Sequence, residues 1–193
     1  MIGGIVLAGG EGRRFGSPKQ LVRLRGRPLI EWAIEPMLAA PGVDSVAVVL
    51  GAHFAAIRAT AKLEPARAVV CEAWREGIAA SLRCGLKEFG DAEAVAVTLA
   101  DQPLITSEAI SAVLGELDSG AVAARASYDG RPGHPVAISR SLFRAVEELR
   151  GDVGARDLLS ASGVLEVECS HLCSDADVDR PEDLERVRAV EAR

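Results

Sequence analysis

Short, almost wholly apolar runs alternate along this chain with longer segments whose apolar residues recur every three or four positions, and few folds accommodate that alternation. Ile5-Val6-Leu7-Ala8, Val46-Ala47-Val48-Val49-Leu50 and Ala94-Val95-Ala96-Val97-Thr98-Leu99 show no in/out polarity pattern, as expected of strands covered on both faces of a parallel sheet. Between them, Leu29 to Ala39, Phe54 to Leu63 and Ile78 to Phe89 carry helical spacing, with Ala68-Val69-Val70 as a further strand. A helix from Ser107 to Leu117 follows, with Thr106 or Ser107 as its N-cap. Strands at Ala121 to Ala126 and Pro135 to Ile138 then flank the polar segment Ser127 to His134. Helices near Ser141 to Leu149 and Asp183 to Val190 bracket a last short strand around Val164 to Val167. No fixed-period repeat or low-complexity linker interrupts the 193 residues, so one domain is expected, a three-layer α/β/α Rossmann-like fold with a mostly parallel central sheet.

Composition narrows the partners. A formal charge of -6 argues against nucleic acid, whose binders present basic surfaces. No run approaches the roughly 20 apolar residues of a membrane span, and no basic segment precedes an apolar one at the N-terminus. Cys71, Cys84, Cys169 and Cys173 are scattered in a way that suits a reducing compartment better than a disulfide framework, so a cytoplasmic location is expected. Cys169-Ser170-His171-Leu172-Cys173 offers at most three metal ligands and reads as core or loop residues rather than a zinc site.

The first apolar run empties into Leu7-Ala8-Gly9-Gly10-Glu11-Gly12-Arg13-Arg14-Phe15-Gly16-Ser17-Pro18-Lys19. Glycines without Cβ atoms let backbone N–H groups approach a polyphosphate, and Arg13, Arg14 and Lys19 gather positive charge in an acidic protein. Phe15 stands where the dinucleotide fingerprint needs glycine, and Lys19 lies between Pro18 and Gln20 rather than in a Gly-Lys-Ser/Thr ending, so neither familiar phosphate loop is present. Lys19 and Arg14 are the candidates for neutralising a leaving pyrophosphate. Leu99-Ala100-Asp101-Gln102-Pro103 ends the clearest strand, and a carboxylate there projects to the sheet edge where ligands bind in such folds. Asp101 suits Mg²⁺, which takes one or two carboxylates beside substrate phosphates.

The run Leu7-Ala8-Gly9-Gly10-x-Gly12-x-Arg14-Phe15-Gly16-x-x-Lys19 resembles the signature of the MobA-like nucleotidyltransferases, and the similarity extends from Ile5 to about Leu184. The resemblance implies a nucleotidyltransferase fold, a nucleotide site over Leu7, Ala8, Gly9, Gly10, Gly12, Arg13, Arg14 and Lys19, and Mg²⁺ held by Asp101. Asp175-Ala176-Asp177-Val178-Asp179-Arg180-Pro181-Glu182-Asp183 is similar to the family's C-terminal acidic element. Alternation along an extended segment would put Asp175, Asp177 and Asp179 on one face. Asp179 is either a second metal ligand or part of the start of the last helix.

Glu72-x-Trp74-x-x-Gly77-x-x-x-Ser81 resembles the segment that frames nucleotide and cofactor, with Glu72 and Ser81 on the nucleotide side. Trp74 is either a stacking surface or a buried aromatic, and the resemblance places it with Gln102 on the acceptor side. Tyr128-x-Gly130-x-x-Gly133-His134-Pro135 and Gly151-Asp152-x-Gly154-Ala155-Arg156 look like the cytidylyl-transferring branch, which places Tyr128, His134 and Arg156 near the acceptor. Gly9 is instead the residue of the guanylyl branch. The implied reaction is CMP transfer from CTP to the molybdenum-molybdopterin cofactor with release of pyrophosphate. Alternatives are GMP transfer from GTP, another phosphorylated acceptor, or a non-catalytic delivery module for a molybdoenzyme or its maturation chaperone.

Overall fold

Strand β1 (Ile2–Ala8) starts three residues ahead of the apolar run within it. A Cβ on Gly3 would lie 2.4 Å from the Phe89 ring, and one on Gly4 2.6 Å from Met37. The covering layers press on bare backbone there, which a pattern of apolar side chains does not register. The computed structural model describes residues 1–12, 14–151 and 163–190. After β1 come a small hairpin, β2 (Arg23–Leu24) and β3 (Arg27–Pro28), then α1 (Leu29–Ala39), β4 (Ser45–Leu50), α2 (Phe54–Thr60), β5 (Arg67–Val70), α3 (Ile78–Lys87) and β6 (Ala94–Leu99). The second half holds α4 (Ser107–Asp118), β7 (Ala123–Tyr128), β8 (Arg131–Ser139), α5 (Phe143–Glu148), β9 (Leu165–Glu168) and α6 (Asp183–Val190).

Seven strands form one sheet in the order β5-β4-β1-β6-β8-β7-β9, parallel except that β8 runs against both β6 and β7. The central strands are buried twice over. Val6 and Ala8 pack in a cluster with Ile30, Met37, Ile110 and Val113 from α1 and α4. Ile5 and Leu7 face the other way, into Leu82, Leu86, Phe143 and Val146 from α3 and α5. The period of two along β1 therefore separates two apolar layers, which is why the run shows no polar alternation.

Four expectations are corrected. Helix α2 stops at Thr60 because Leu63 turns inward and is buried against the α1 side of the sheet. Of the two strands expected around a polar loop, the first lies two residues later and the second is longer, so that they meet in a tight hairpin with Asp129 (φ 52°) and Gly130 (φ 76°) at its tip. Two consecutive positive φ values are what an Asp-Gly pair supplies. The helix expected from Ser141 begins as a single 3-10 turn and becomes regular only at Phe143. Finally, Cys71 and Cys84 form a disulfide with Cα atoms 5.8 Å apart, since packing of α3 under the end of β5 makes neighbours of residues 13 apart in sequence.

Thr106 is the N-cap of α4, its hydroxyl accepting from the Ala109 N–H at 3.3 Å. Thr106→Ala is expected to destabilise the fold by about 1 kcal/mol, read as a shift of the urea midpoint at unchanged slope. An unshifted midpoint would show that the cap contributes nothing.

Candidate active site

Strands β1 and β6 are neighbours in register, Leu7 beside Leu99, so the segments leaving their carboxyl ends face each other. Between them lies a cleft of about 720 Å³ whose lining includes Gly9, Gly10, Gly12, Lys19, Asp101 and Asp179. The glycine-rich turn and the strand-end carboxylate thus share one site.

The turn is closed by its own backbone. Phe15 and Gly16 both donate their N–H to the Gly12 carbonyl, at 2.9 and 3.1 Å. Gly12 has φ +70°, and a Cβ there would stand 2.6 Å from the Ser17 carbonyl oxygen, so only glycine permits this return. Reversal delivers Lys19, in a 3-10 turn (Lys19–Leu21), back across the mouth of β1.

Lys19 Nζ donates to Asp101 Oδ2 at 2.5 Å and to Asp179 Oδ1 at 2.9 Å, while Arg14 Nη1 donates to Asp179 Oδ2 at 2.7 Å. Burial alone would depress the Lys19 ammonium, but the two carboxylates, Asp101 foremost, outweigh it and hold its pKa above the ordinary lysine value. It is a cation at all neutral pH.

Asp179 had two sequence readings, and its neighbours bear on the helix-start one. The N–H groups of Asp179 and Arg180 are both accepted by Asp183 Oδ2, at 3.0 and 2.8 Å. Those bonds, the Arg180 N–H above all, lower the Asp183 pKa. Asp183 performs the helix-start chemistry, and the Asp179 carboxylate enters the cleft. The expected common face of three aspartates does not form: Asp175 lies 3.6 Å from Arg131 and Asp177 3.5 Å from Arg186. Between Asp177 and Asp179 the Val178 N–H is tied to the Asp101 carbonyl at 2.8 Å.

The donor set suits a hard divalent cation. Asp101 and Asp179 converge on the one point now filled by the Lys19 ammonium, and Asp101 Oδ1 is buried without a hydrogen-bond partner. Among the described residues no group of three or more His, Cys, Asp or Glu is arranged to hold a metal. Two carboxylates leave the remaining positions to substrate oxygens and water, as Mg²⁺ prefers.

Other predicted residues divide by place. Leu7, Ala8, Trp74 and Ser81 line the cleft; a Cβ on Gly9 would meet Ser81 Oγ at 2.8 Å. Trp74 packs on Gly51, where a Cβ would sit 2.6 Å away, and it borders the cleft. Glu72, Gln102, Tyr128 and His134 are not in the lining. Gln102 Nε2 donates to the Asp175 carbonyl at 3.3 Å. Tyr128, expected at the acceptor, is only 2% exposed, and its hydroxyl donates to the His134 carbonyl at 2.6 Å; it secures the β7–β8 hairpin instead. Cys169 is buried beneath that hairpin, and burial pushes its thiol up to about 11. Arg13 and Arg156 lie outside the described residues, as does the 152–156 part of the acceptor element.

Two cleft residues had no sequence reading. Arg75 lies over the Trp74 ring at 4.4 Å and lines the same wall. Gln20, buried, grips the glycine turn from behind. An arginine beside a tryptophan was a visible cue for the first, whereas nothing local marks an amide whose partners are backbone carbonyls.

The chain is also similar to known proteins. Residues 4–167 match the model of the MobA-like NTP transferase domain. The chain is 37% identical over 194 residues to nicotine blue oxidoreductase of Paenarthrobacter nicotinovorans, covering 95% of each. It is 34% identical over 148 residues to the probable molybdenum cofactor guanylyltransferase of Thermococcus gammatolerans, covering 75% of this chain and 73% of that one. The crystal structure of Rv0371c from Mycobacterium tuberculosis H37Rv superposes with a TM-score of 0.85 at 30% identity over 96% of each chain. The manganese complex of Rv0371c does so at 0.81 and 28% over the same shares.

Proposed function

This chain belongs to the MobA-like NTP transferase family, and from that premise we propose that it transfers CMP from CTP to the molybdenum-molybdopterin cofactor, releasing pyrophosphate, with Mg²⁺ as its metal. The observation that carries the reading is the meeting of Lys19, Asp101 and Asp179 at the open end of a glycine-lined turn. A triphosphate needs that set: amides for its oxygens, a mobile cation for its departing end and carboxylates for a counter-ion.

An acceptor phosphate oxygen attacks the donor α-phosphorus; the new P–O bond forms as the bond to the bridging oxygen of the β-phosphate breaks, and pyrophosphate leaves with the electron pair. A phosphate nucleophile needs no strong base, so the protein contributes positioning and charge neutralisation. The amides of Gly9 to Gly12 orient the phosphates. Lys19 and Arg14, on exchanging carboxylate partners for phosphate oxygens, neutralise the leaving group. Asp101 and Asp179 would hold Mg²⁺, which supplies further positive charge to the phosphates. The manganese complex of Rv0371c supports a divalent site in this fold.

CTP is favoured by the Tyr128-to-Pro135 element. GTP is the second reading, favoured by Gly9 and by the guanylyltransferase named among the relatives. The relative named as an oxidoreductase makes reductase chemistry a control to run. Pyrophosphate release with Mg²⁺ and molybdopterin cofactor is expected to be faster with CTP than with GTP. Faster release with GTP would transfer the assignment to guanylyl transfer, and none with any triphosphate would end the reading.

A further inference from the structure

The carbonyl oxygens of the glycine turn are almost all engaged from behind. Leu7 O accepts from the Ala100 N–H at 3.0 Å and Gly9 O from the Ala52 N–H at 3.1 Å. Between them, Ala8 O and Gly10 O accept from one amide group, Gln20 Nε2, at 2.9 and 2.7 Å. Two carbonyls around one amide nitrogen leave no doubt which end of Gln20 faces them, since only the NH₂ has two hydrogens to give. Gln20 is 2% exposed. Among the described residues the N–H groups of Gly9, Gly10 and Gly12 meet no backbone acceptor.

A trans peptide points its C=O and N–H in opposite directions. By capturing Ala8 O, Gln20 turns the N–H of the same peptide, that of Gly9, away from itself and toward the cleft that Gly9 lines, and its bond to Gly10 O fixes the turn one peptide further on. We infer that Gln20 is a positioning residue that aims the amides of the glycine turn at the phosphate chain of the substrate. One 3-10 turn thereby supplies both parts of the anion site, Lys19 as cation in front and Gln20 as clamp behind. The inference rests on the reading of the cleft as a triphosphate site.

The test uses inorganic tripolyphosphate with Mg²⁺, which has phosphates but no base, titrated by calorimetry into the whole chain. Gln20→Glu keeps the shape of the side chain but places a carboxylate against two carbonyl oxygens. It is expected to weaken tripolyphosphate binding by about 30-fold at mildly alkaline pH, the equivalent of two hydrogen bonds. Burial beside two acceptors favours the protonated acid, which has one hydrogen to donate. The ratio of wild-type to Gln20→Glu affinity therefore shrinks as pH falls, a signature that mere loosening of the fold would not give. Should Gln20→Glu fail to fold, Gln20→Met, which lacks the donors without adding charge, carries the test with about a 10-fold loss. Wild-type binding with either folded variant binding equally well, or a Gln20→Glu ratio that ignores pH, overturns the role of Gln20. Absence of wild-type binding overturns the triphosphate reading beneath it.

Discussion

Replacing Asp101 with alanine is expected to lower nucleotidyl transfer by about 10²- to 10³-fold, the scale of losing a principal charge-stabilising group in a transition state. The fold should survive. Asp101 leaves β6 at its carboxyl end, and its partner is Lys19 rather than the core. Its Oδ1 has no hydrogen bond to lose. Asp101→Asn separates charge from shape, since an amide nearly matches the carboxylate in size but has no charge for Lys19 or a divalent cation. Both variants should be inactive with native circular dichroism. Wild-type turnover in either would remove Asp101 from the chemistry.

Lys19→Ala is expected to weaken CTP binding by about 1 to 3 kcal/mol, as for one charge-assisted contact in a half-buried site. The same change leaves Asp101 and Asp179 facing each other without the ammonium that lies between them. A bare divalent cation should therefore bind the variant more tightly than the wild type, so the two ligands respond in opposite directions. Titration calorimetry with Mn²⁺ alone and with Mg·CTP reads both; CTP affinity equal to wild type would sink the assignment of Lys19. The pH dependence has a definite sign. A lysine whose folded pKa is raised contributes its stabilisation fully below the unfolded value, and loses it as pH rises through the folded one. The stability difference between the two proteins should be flat through neutral pH and fall only under alkaline conditions.

Asp179 shows how far a local pattern reaches. Its sequence neighbourhood allowed either a metal ligand or a helix start, and the helix start goes to whichever carboxylate, Asp179 or Asp183, takes the backbone donors. Hydrogen bonds four and three residues apart give that task to Asp183, but only after α6 has a fixed direction. Tyr128 shows the converse. The resemblance put it near the acceptor, whereas the Asp129-Gly130 turn folds its segment into a hairpin and tucks the ring inside.

The sequence by itself determined the layers, the place of the glycine turn and the strand-end aspartate, because side-chain periodicity and a glycine's missing Cβ act over a few residues. Tertiary structure decided which distant groups meet. Lys19 reaches Asp101 and Asp179 across 82 and 160 positions, Cys71 finds Cys84 on α3, and Gln20 finds the carbonyls its amide can serve. Such pairings follow from the strand order and from where the chain crosses the end of the sheet, which depend on the packing of the whole core rather than on any one segment.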